Sequence, residues 1–214
     1  MNPRYRRFPV LLGMAVTYSA IASNSQQPPS TRQASFTSPD GIFRFSYPSA
    51  FEVCTQDHIE PCIHSYIPAC DQDAIVCVVY PAKQFEETSF GDAAFEVREI
   101  RTNREKMTAD VCVTPHPLKD SEWPEYMISA RRPAKMINGV LFVHGIKDEG
   151  AMSHSSSVDL YRTFHCGRCF ELSVGQSGTD PQVFDPPKKW LTAQQQKSVD
   201  GSMTQIVQSF RFIK

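Results

Sequence analysis

Cys166-Gly167-Arg168-Cys169 and the set Cys54, His58, Cys62 and His64 are the two places where residue types and spacing could do chemistry. Two cysteines separated by two residues support thiol–disulfide exchange when the first lies at a helix N-terminus, where the helix dipole lowers its pKa. After Cys169, however, the chain runs Phe-Glu-Leu-Ser-Val-Gly, which alternates with period two and continues as a strand. Gly167 then falls first in a two-residue turn, as a type II′ hairpin requires. In that geometry Cys166 and Cys169 face each other across the ladder, with Cα atoms about 5.5 Å apart and within disulfide reach. A structural disulfide is therefore expected at Cys166 and Cys169, with a redox site and a metal site as the alternatives. Haem attachment is excluded by order, because His165 precedes the pair.

Pairing 166 with 169 sorts the flanking residues onto two faces. Tyr161, Thr163, His165, Phe170, Leu172 and Val174 share the face expected to be core. Leu160, Arg162, Phe164, Glu171 and the two cysteines share the other, with Arg162 and Glu171 as diagonal neighbours able to form an ion pair.

In the second set, two thiolates and two imidazoles could satisfy tetrahedral zinc. In an oxidising compartment such cysteines pair instead, so Cys54, Cys62, Cys70 and Cys77 are read as further disulfide candidates, and no metal or cofactor is expected. Connectivity cannot be deduced from sequence. With seven cysteines at least one is left over within the chain, and Cys77 or Cys112 is the candidate.

Other catalytic signatures are absent. Gly175-Gln176-Ser177-Gly178 lacks the second spacer of a nucleophile elbow. No His-Glu-x-x-His, phosphate-binding glycine loop or dinucleotide fingerprint occurs. Met152-Ser153-His154-Ser155-Ser156-Ser157 puts a histidine among hydroxyls on what reads as a loop, with no third partner in view. No catalytic residue is assigned.

The elements that must position these residues are mostly strands. They are expected at 35–37, 42–47, 51–54 and 74–80, the last apolar throughout and so covered on both sides. Residues 94–100 suit a strand or a helix. Thr102 and Glu105 have capping-box spacing for a short helix over 103–112. Residues 114–133, with Pro115, Pro117, Pro124 and Pro133, form a long irregular connection. Asn138-Gly139 is a strong hairpin signal joining a strand that ends at Ile137 to Val140–Ile146. With 158–165 and 170–174 this makes an antiparallel meander of four strands. Thr192 and Gln195 fit a capping box for a helix carrying Val199, Met203, Ile206, Val207 and Phe210 in one stripe, with Gly201 a point where it could break. Phe210 and Phe212 close the chain as a strand.

Bulk properties set the compartment. Arg4, Arg6 and Arg7 precede a mostly apolar run from Phe8 to Ala22 that ends in Ala20-Ile21-Ala22, the pattern of a cleavable signal peptide over 1–22. An uncleaved anchor is the competing reading, and the run is short for it. Residues 23–33, rich in Ser, Gln and Pro, read as a disordered tether, and 34–214 as one domain. The chain has 22 basic and 23 acidic residues, and cleavage would remove three of the former and none of the latter. A mature domain of negative formal charge without a basic run argues against nucleic acid and anionic membrane surfaces as partners, and no stable membrane anchor is expected after cleavage.

Phe36-Thr37-Ser38-Pro39-Asp40-Gly41-Ile42-Phe43-Arg44-Phe45-Ser46-Tyr47-Pro48 resembles the opening of PsbP-like domains, where an aromatic strand ends in Tyr-Pro. Ile206-Val207-Gln208-Ser209-Phe210-Arg211-Phe212 is similar to their final helix-to-strand step. The resemblance implies an antiparallel sheet flanked by helices and brings no catalytic residues. The expectation is an α+β domain with a C-terminal helix and a closing strand. Its expected role is that of a non-enzymatic module, periplasmic or secreted, that binds a protein or small ligand or supports an envelope assembly. A thiol–disulfide oxidoreductase using Cys166 and Cys169 is the alternative, and a metal-binding module at 54–64 a third.

Overall fold

The computed structural model describes residues 32–59, 62, 70–101, 107–113 and 130–213. Ten strands, all paired antiparallel, form two sheets among these residues. The smaller sheet joins β1 (Gln33–Thr37), β2 (Phe43–Pro48) and β10 (Arg211–Phe212). The larger contains β3 (Glu52–Thr55), β4 (Ala74–Val79), β5 (Phe90–Ile100), β6 (Ala130–Ile137), β7 (Val140–Ala151), β8 (His154–His165) and β9 (Arg168–Thr179). Their spatial order is β3-β4-β5-β9-β8-β7-β6. With helices α1 (Ala109–Val113) and α2 (Ala193–Ser209), the architecture is α+β, as the sequence implied.

Three two-residue turns build the meander from β6 to β9, and each places both turn residues at positive φ. Asn138 and Gly139 lie at 45° and 84°, Met152 and Ser153 at 49° and 69°, Cys166 and Gly167 at 49° and 77°. Positive φ at both positions is the type I′ geometry that matches strand twist. The Asn138-Gly139 hairpin is where the sequence places it. The 152–157 segment, read as a loop, is instead a turn followed by the first residues of β8, because Met and Ser carry no turn signal of the Asn-Gly kind.

The same geometry corrects the expected Cys166–Cys169 clasp. The turn occupies Cys166 and Gly167, not Gly167 and Arg168, so the last ladder pair is His165 with Arg168 and Cys169 lies opposite Phe164. Cys166 is exposed at the tip, whereas Cys169 is fully buried and disulfide-bonded to Cys112 of α1. The assignment of Cys77 or Cys112 as the leftover cysteine is corrected too: Cys70 is bonded to Cys77, Cys54 to Cys62. Sliding the turn by one residue moves every cross-strand partner by two, so each side chain keeps its face. Tyr161, Phe170 and Leu172 accordingly lie in the main core, and Thr163 is buried beside them.

That core fills the space between the large sheet on one side and the small sheet with α2 on the other. Phe43 and Phe45 of β2, Val76 and Val78 of β4, Phe95 and Val97 of β5, and Phe142 of β7 meet Val199, Met203, Ile206 and Val207 of α2. The Phe210 ring stacks on Phe43 at 5.3 Å between centroids and meets Phe142 edge-on. Full burial of each such ring stabilises by about 1.5–3 kcal/mol.

Helix α2 starts at the capping box, Thr192 accepting from the Gln195 backbone and Gln195 from that of Thr192. It runs unbroken through Gly201, which lies on its exposed face. Local weakening of about 1 kcal/mol does not outweigh burial of the whole apolar stripe. Asn138 Nδ2 donates to the carbonyls of Gln208 and Phe210, tying the first hairpin to the helix end. The helix expected over 103–112 is found at Ala109–Val113; the Thr102 box, residues 114–129 of the proline-rich connection and the signal segment lie outside the described residues.

Candidate functional site

The two faces of the large sheet carry different chemistry. On the outer face, β5, β9 and β8 hold a buried charge network. Glu171 is fully buried and is the register partner of both Arg98 and Arg162. Arg98 donates through Nε and Nη2 to Glu171 Oε1 at 2.9 and 2.6 Å, and Arg162 Nε donates to Oε2. Arg98 Nη1 also reaches Asp71 at 3.0 Å. Glu96 Oε2 accepts from the backbone N–H of Cys70 at 2.6 Å and of Asp71 at 3.2 Å. The network therefore anchors the chain around the Cys70–Cys77 bond onto the sheet.

The two buried carboxyls are driven in opposite directions. Burial outweighs Arg98 and the backbone donors at Glu96 and pushes its pKa up to about 7. At Glu171 burial would also raise it, but Arg98 and Arg162 together hold it below the usual carboxylate range. Near the turn, Arg168 bridges Asp40 at 2.5 Å and Glu99 at 2.6 Å, so this arginine fastens β9 to the small sheet. Cys54, Cys62, Cys70 and Cys77 sit on the same outer face, packed with Ile59, Ala74, Val79 and Ala94. Glu52, Cys54 and Cys62 bring their ligand atoms within 4.8 Å of one another, but the two sulfurs are bonded to each other and offer no thiolate. His58 lies in the turn after β3, and His64 is outside the described residues.

The inner face is covered by α2 over only part of its length, and the uncovered part forms a groove. One cavity of about 520 Å³ is walled by Asp148, Ser155, Ser157 and Gln176 from the strands, with Trp190, Leu191 and Gln196 opposite. A second, of about 320 Å³, is walled by Lys135, Asp159, Tyr161 and Gln176 from the strands and by Asp200 and Thr204 of α2. The two share Ser157 and Gln176. The floor is dictated by strand parity: Ser157 pairs with Asp148 on one side and Gln176 on the other, so all three share one face.

The rim is positioned by backbone bonds. Asp180 N donates to the Ser153 carbonyl, Lys188 N to that of Pro181, Lys189 N to that of Glu87, and Ser89 N to that of Lys189. This path brings Trp190 and Leu191 alongside the start of β5 just before Thr192 opens α2. Trp190 remains 66 % exposed.

Inside the groove the polar groups are held in pairs. Gln176 and Gln196 exchange amide hydrogen bonds at 3.1 and 2.9 Å, bridging β9 to α2. Gln196 also donates to Asp200 at 2.8 Å, and Ser157 donates to Asp148 at 2.6 Å. His144 Nε2 lies 2.6 Å from Asp159 Oδ1, and its ring stacks on Tyr161 at 4.4 Å. Lys135 Nζ lies 5.3 Å from the centre of the same ring. Burial, reinforced by the Asp159 carboxylate, pushes the Tyr161 phenol up to about 12, so it stays a neutral donor.

Ser157 is engaged by Asp148 and His144 by Asp159, so hydroxyl and imidazole are drawn to different carboxylates. That arrangement does not provide the hydroxyl–imidazole hydrogen bond by which a histidine activates a serine nucleophile. His154, singled out among the serines, pairs across the ladder with Thr179, Nδ1 lying 2.8 Å from its Oγ1.

Sequence reasoning placed no site in this groove, because its walls come from five strands, α2 and the segment before it. The available signal was the alternation of Ser155, Ser157, Asp159 and Tyr161, which marks one continuous polar face once 154–157 is read as strand.

No family model matches the sequence, and no curated protein matches it significantly. Solved structures similar to the chain include a protein of Bacteroides thetaiotaomicron VPI-5482, with 12 % identity, a TM-score of 0.42, and coverage of 84 % of this chain but 48 % of that one, so that this chain spans about half its length. LpqN, described as involved in cell envelope biogenesis of Mycobacterium tuberculosis, aligns with 9 % identity and a TM-score of 0.38 over 85 % of this chain and 90 % of its own. The cyanobacterial PsbP (CyanoP) of Synechocystis sp. PCC 6803 aligns with 10 % identity and a TM-score of 0.40 over 85 % and 93 %. PsbP, the family the sequence resembles at 36–48 and 206–212, is thus among the structural matches, and at these identities no functional residue is carried over.

Proposed function

We propose that this chain is an exported, non-enzymatic module that binds a small ligand in the groove between α2 and β7-β8-β9. The observation that carries the reading is the groove itself: two adjoining cavities whose walls combine hydrogen-bonding side chains of the strands and α2 with apolar ones such as Phe90, Val174, Leu191 and Met203, with an exposed tryptophan at the rim. Convergent polar groups in a concave, pre-formed site are the usual marks of a ligand pocket. Export is supported by three disulfides among the described residues, which persist in oxidising compartments. No helix of the described residues is long and apolar enough to cross a membrane.

The alternative, thiol–disulfide exchange at Cys166 and Cys169, has less support. Cys169 is buried in a strand and bonded to Cys112, so the pair is neither on a helix start nor arranged for mutual attack. A thermal-shift screen of small polar ligands tests the reading. Stabilisation by a ligand that is lost in Gln176→Leu is expected; dithiol oxidase activity that requires Cys166 would contradict it.

A further inference from the structure

We infer that the groove takes a neutral saccharide, with one sugar ring lying against Trp190; this rests on the groove being a ligand site. Three properties of the walls select this class.

The first is charge. Asp148, Glu149, Asp159 and Asp200 line the two cavities, Glu149 paired with Lys147 at 2.8 Å, and Lys135 stands among them in the second. An anionic ligand meets the carboxylates along the whole length. A cationic one meets the Lys135 ammonium at one end, and two of the carboxylates already accept from neutral donors, Ser157 and Gln196. Neither sign of charge is matched over the full groove, whereas an uncharged ligand has no such conflict.

The second is the type of polar group. Hydroxyls and primary amides each offer donor and acceptor sites close together. Ser155, Ser157, Gln176 and Gln196, with the carboxylates as further acceptors, match adjacent sugar hydroxyls, which also donate and accept. An acyl chain would leave without a partner the hydrogen-bonding capacity that the Gln176–Gln196 and Ser157–Asp148 pairs do not use, at a desolvation cost that disfavours it.

The third is Trp190. A large exposed indole beside a polar cleft presents a flat, electron-rich face. The C–H groups on one side of a pyranose ring carry partial positive charge and pack on such a face, while the hydroxyls at the ring edge turn toward the strands. Both cavities fall in the range of small-ligand pockets, roughly 300–1,000 Å³, and together they suit an oligosaccharide.

The experiment is calorimetric titration of the full domain with maltotriose, cellotriose and chitotriose, alongside spermine, dodecanoate and inorganic phosphate. Saturable binding of at least one neutral trisaccharide is expected, weakened roughly tenfold or more by Trp190→Ala and separately by Ser155→Tyr, which fills the first cavity. Both substitutions are at exposed positions, and circular dichroism verifies that each variant folds. If only spermine, dodecanoate or phosphate binds, and Ser155→Tyr abolishes it, the saccharide inference is overturned while the groove remains the ligand site. If a trisaccharide binds but neither substitution weakens it, the placement against Trp190 is overturned. If none of the six probes binds, the saccharide inference is overturned and the groove reading loses its support with it.

Discussion

Arg162 and Glu171 are direct register partners across β8 and β9, and Arg98 faces the same carboxylate from β5. One buried acid thus serves two guanidiniums at the centre of the large sheet. Replacing such a set by well-packed apolar residues is often neutral, but removing one member strands the others. Glu171→Ala is expected to cost about 3–5 kcal/mol in urea unfolding. A loss below about 1 kcal/mol, the value of an exposed pair, would show that the network is not closed to water.

Glu96 gives the stability an unusual pH dependence. Its carboxyl titrates at about 7 in the fold against 4.5 as the ordinary value. Between those two values the folded state holds more protons than the unfolded one, so this group's contribution is fully present below 4.5 and declines as pH rises through 7. Glu171 acts with the opposite sign: its depressed pKa contributes stability at neutral pH that is lost as pH falls through the folded value. Melting temperature measured from pH 4.5 to 8 should fall less steeply in Glu96→Gln, whose amide oxygen still accepts from the Cys70 N–H. An unchanged slope would exclude Glu96 as its source.

The Cys112–Cys169 bond ties α1 to β9 across 57 residues of sequence. In the chain-entropy view a closure of that length constrains the unfolded state by roughly 4 kcal/mol. Peptide mapping under non-reducing conditions should recover the 112–169 pair, and Cys112→Ser should lower stability by a comparable amount. Recovery of a 166–169 pair would contradict the structure.

Gly201 sits inside α2 with open space where a side chain would point. Gly201→Ala is expected to raise stability by about 1 kcal/mol, read as an upward shift in melting temperature without change in the groove.

The features legible in the sequence are local ones. The Asn138-Gly139 turn, the Thr192–Gln195 box and the Val199–Phe210 stripe are each decided within a few residues, and each is found. Face assignment along β8 and β9 also holds, since moving the turn by one residue leaves parity intact.

The clasp at Cys166 fails on a choice between two turns, one starting at Cys166 and one at Gly167. Cysteine at positive φ carries no propensity signal, and the partner of Cys169 lies in α1, far away in sequence. The groove is hidden for a related reason. Met152 and Ser153 turn the chain at positive φ without glycine or asparagine, so Ser155 and Ser157 read as loop. Their neighbours Gln176, Trp190 and Gln196 come together only through the pairing of β8 with β9 and the docking of α2.

The most direct test of a ligand site in this groove is amide chemical-shift mapping on the labelled domain with the trisaccharide panel. Perturbations are expected to cluster at Asp148, Ser155–Ser157, Gln176, Trp190 and Gln196. Perturbations confined to the 166–169 turn or to the disulfide-bearing outer face would contradict a ligand site there.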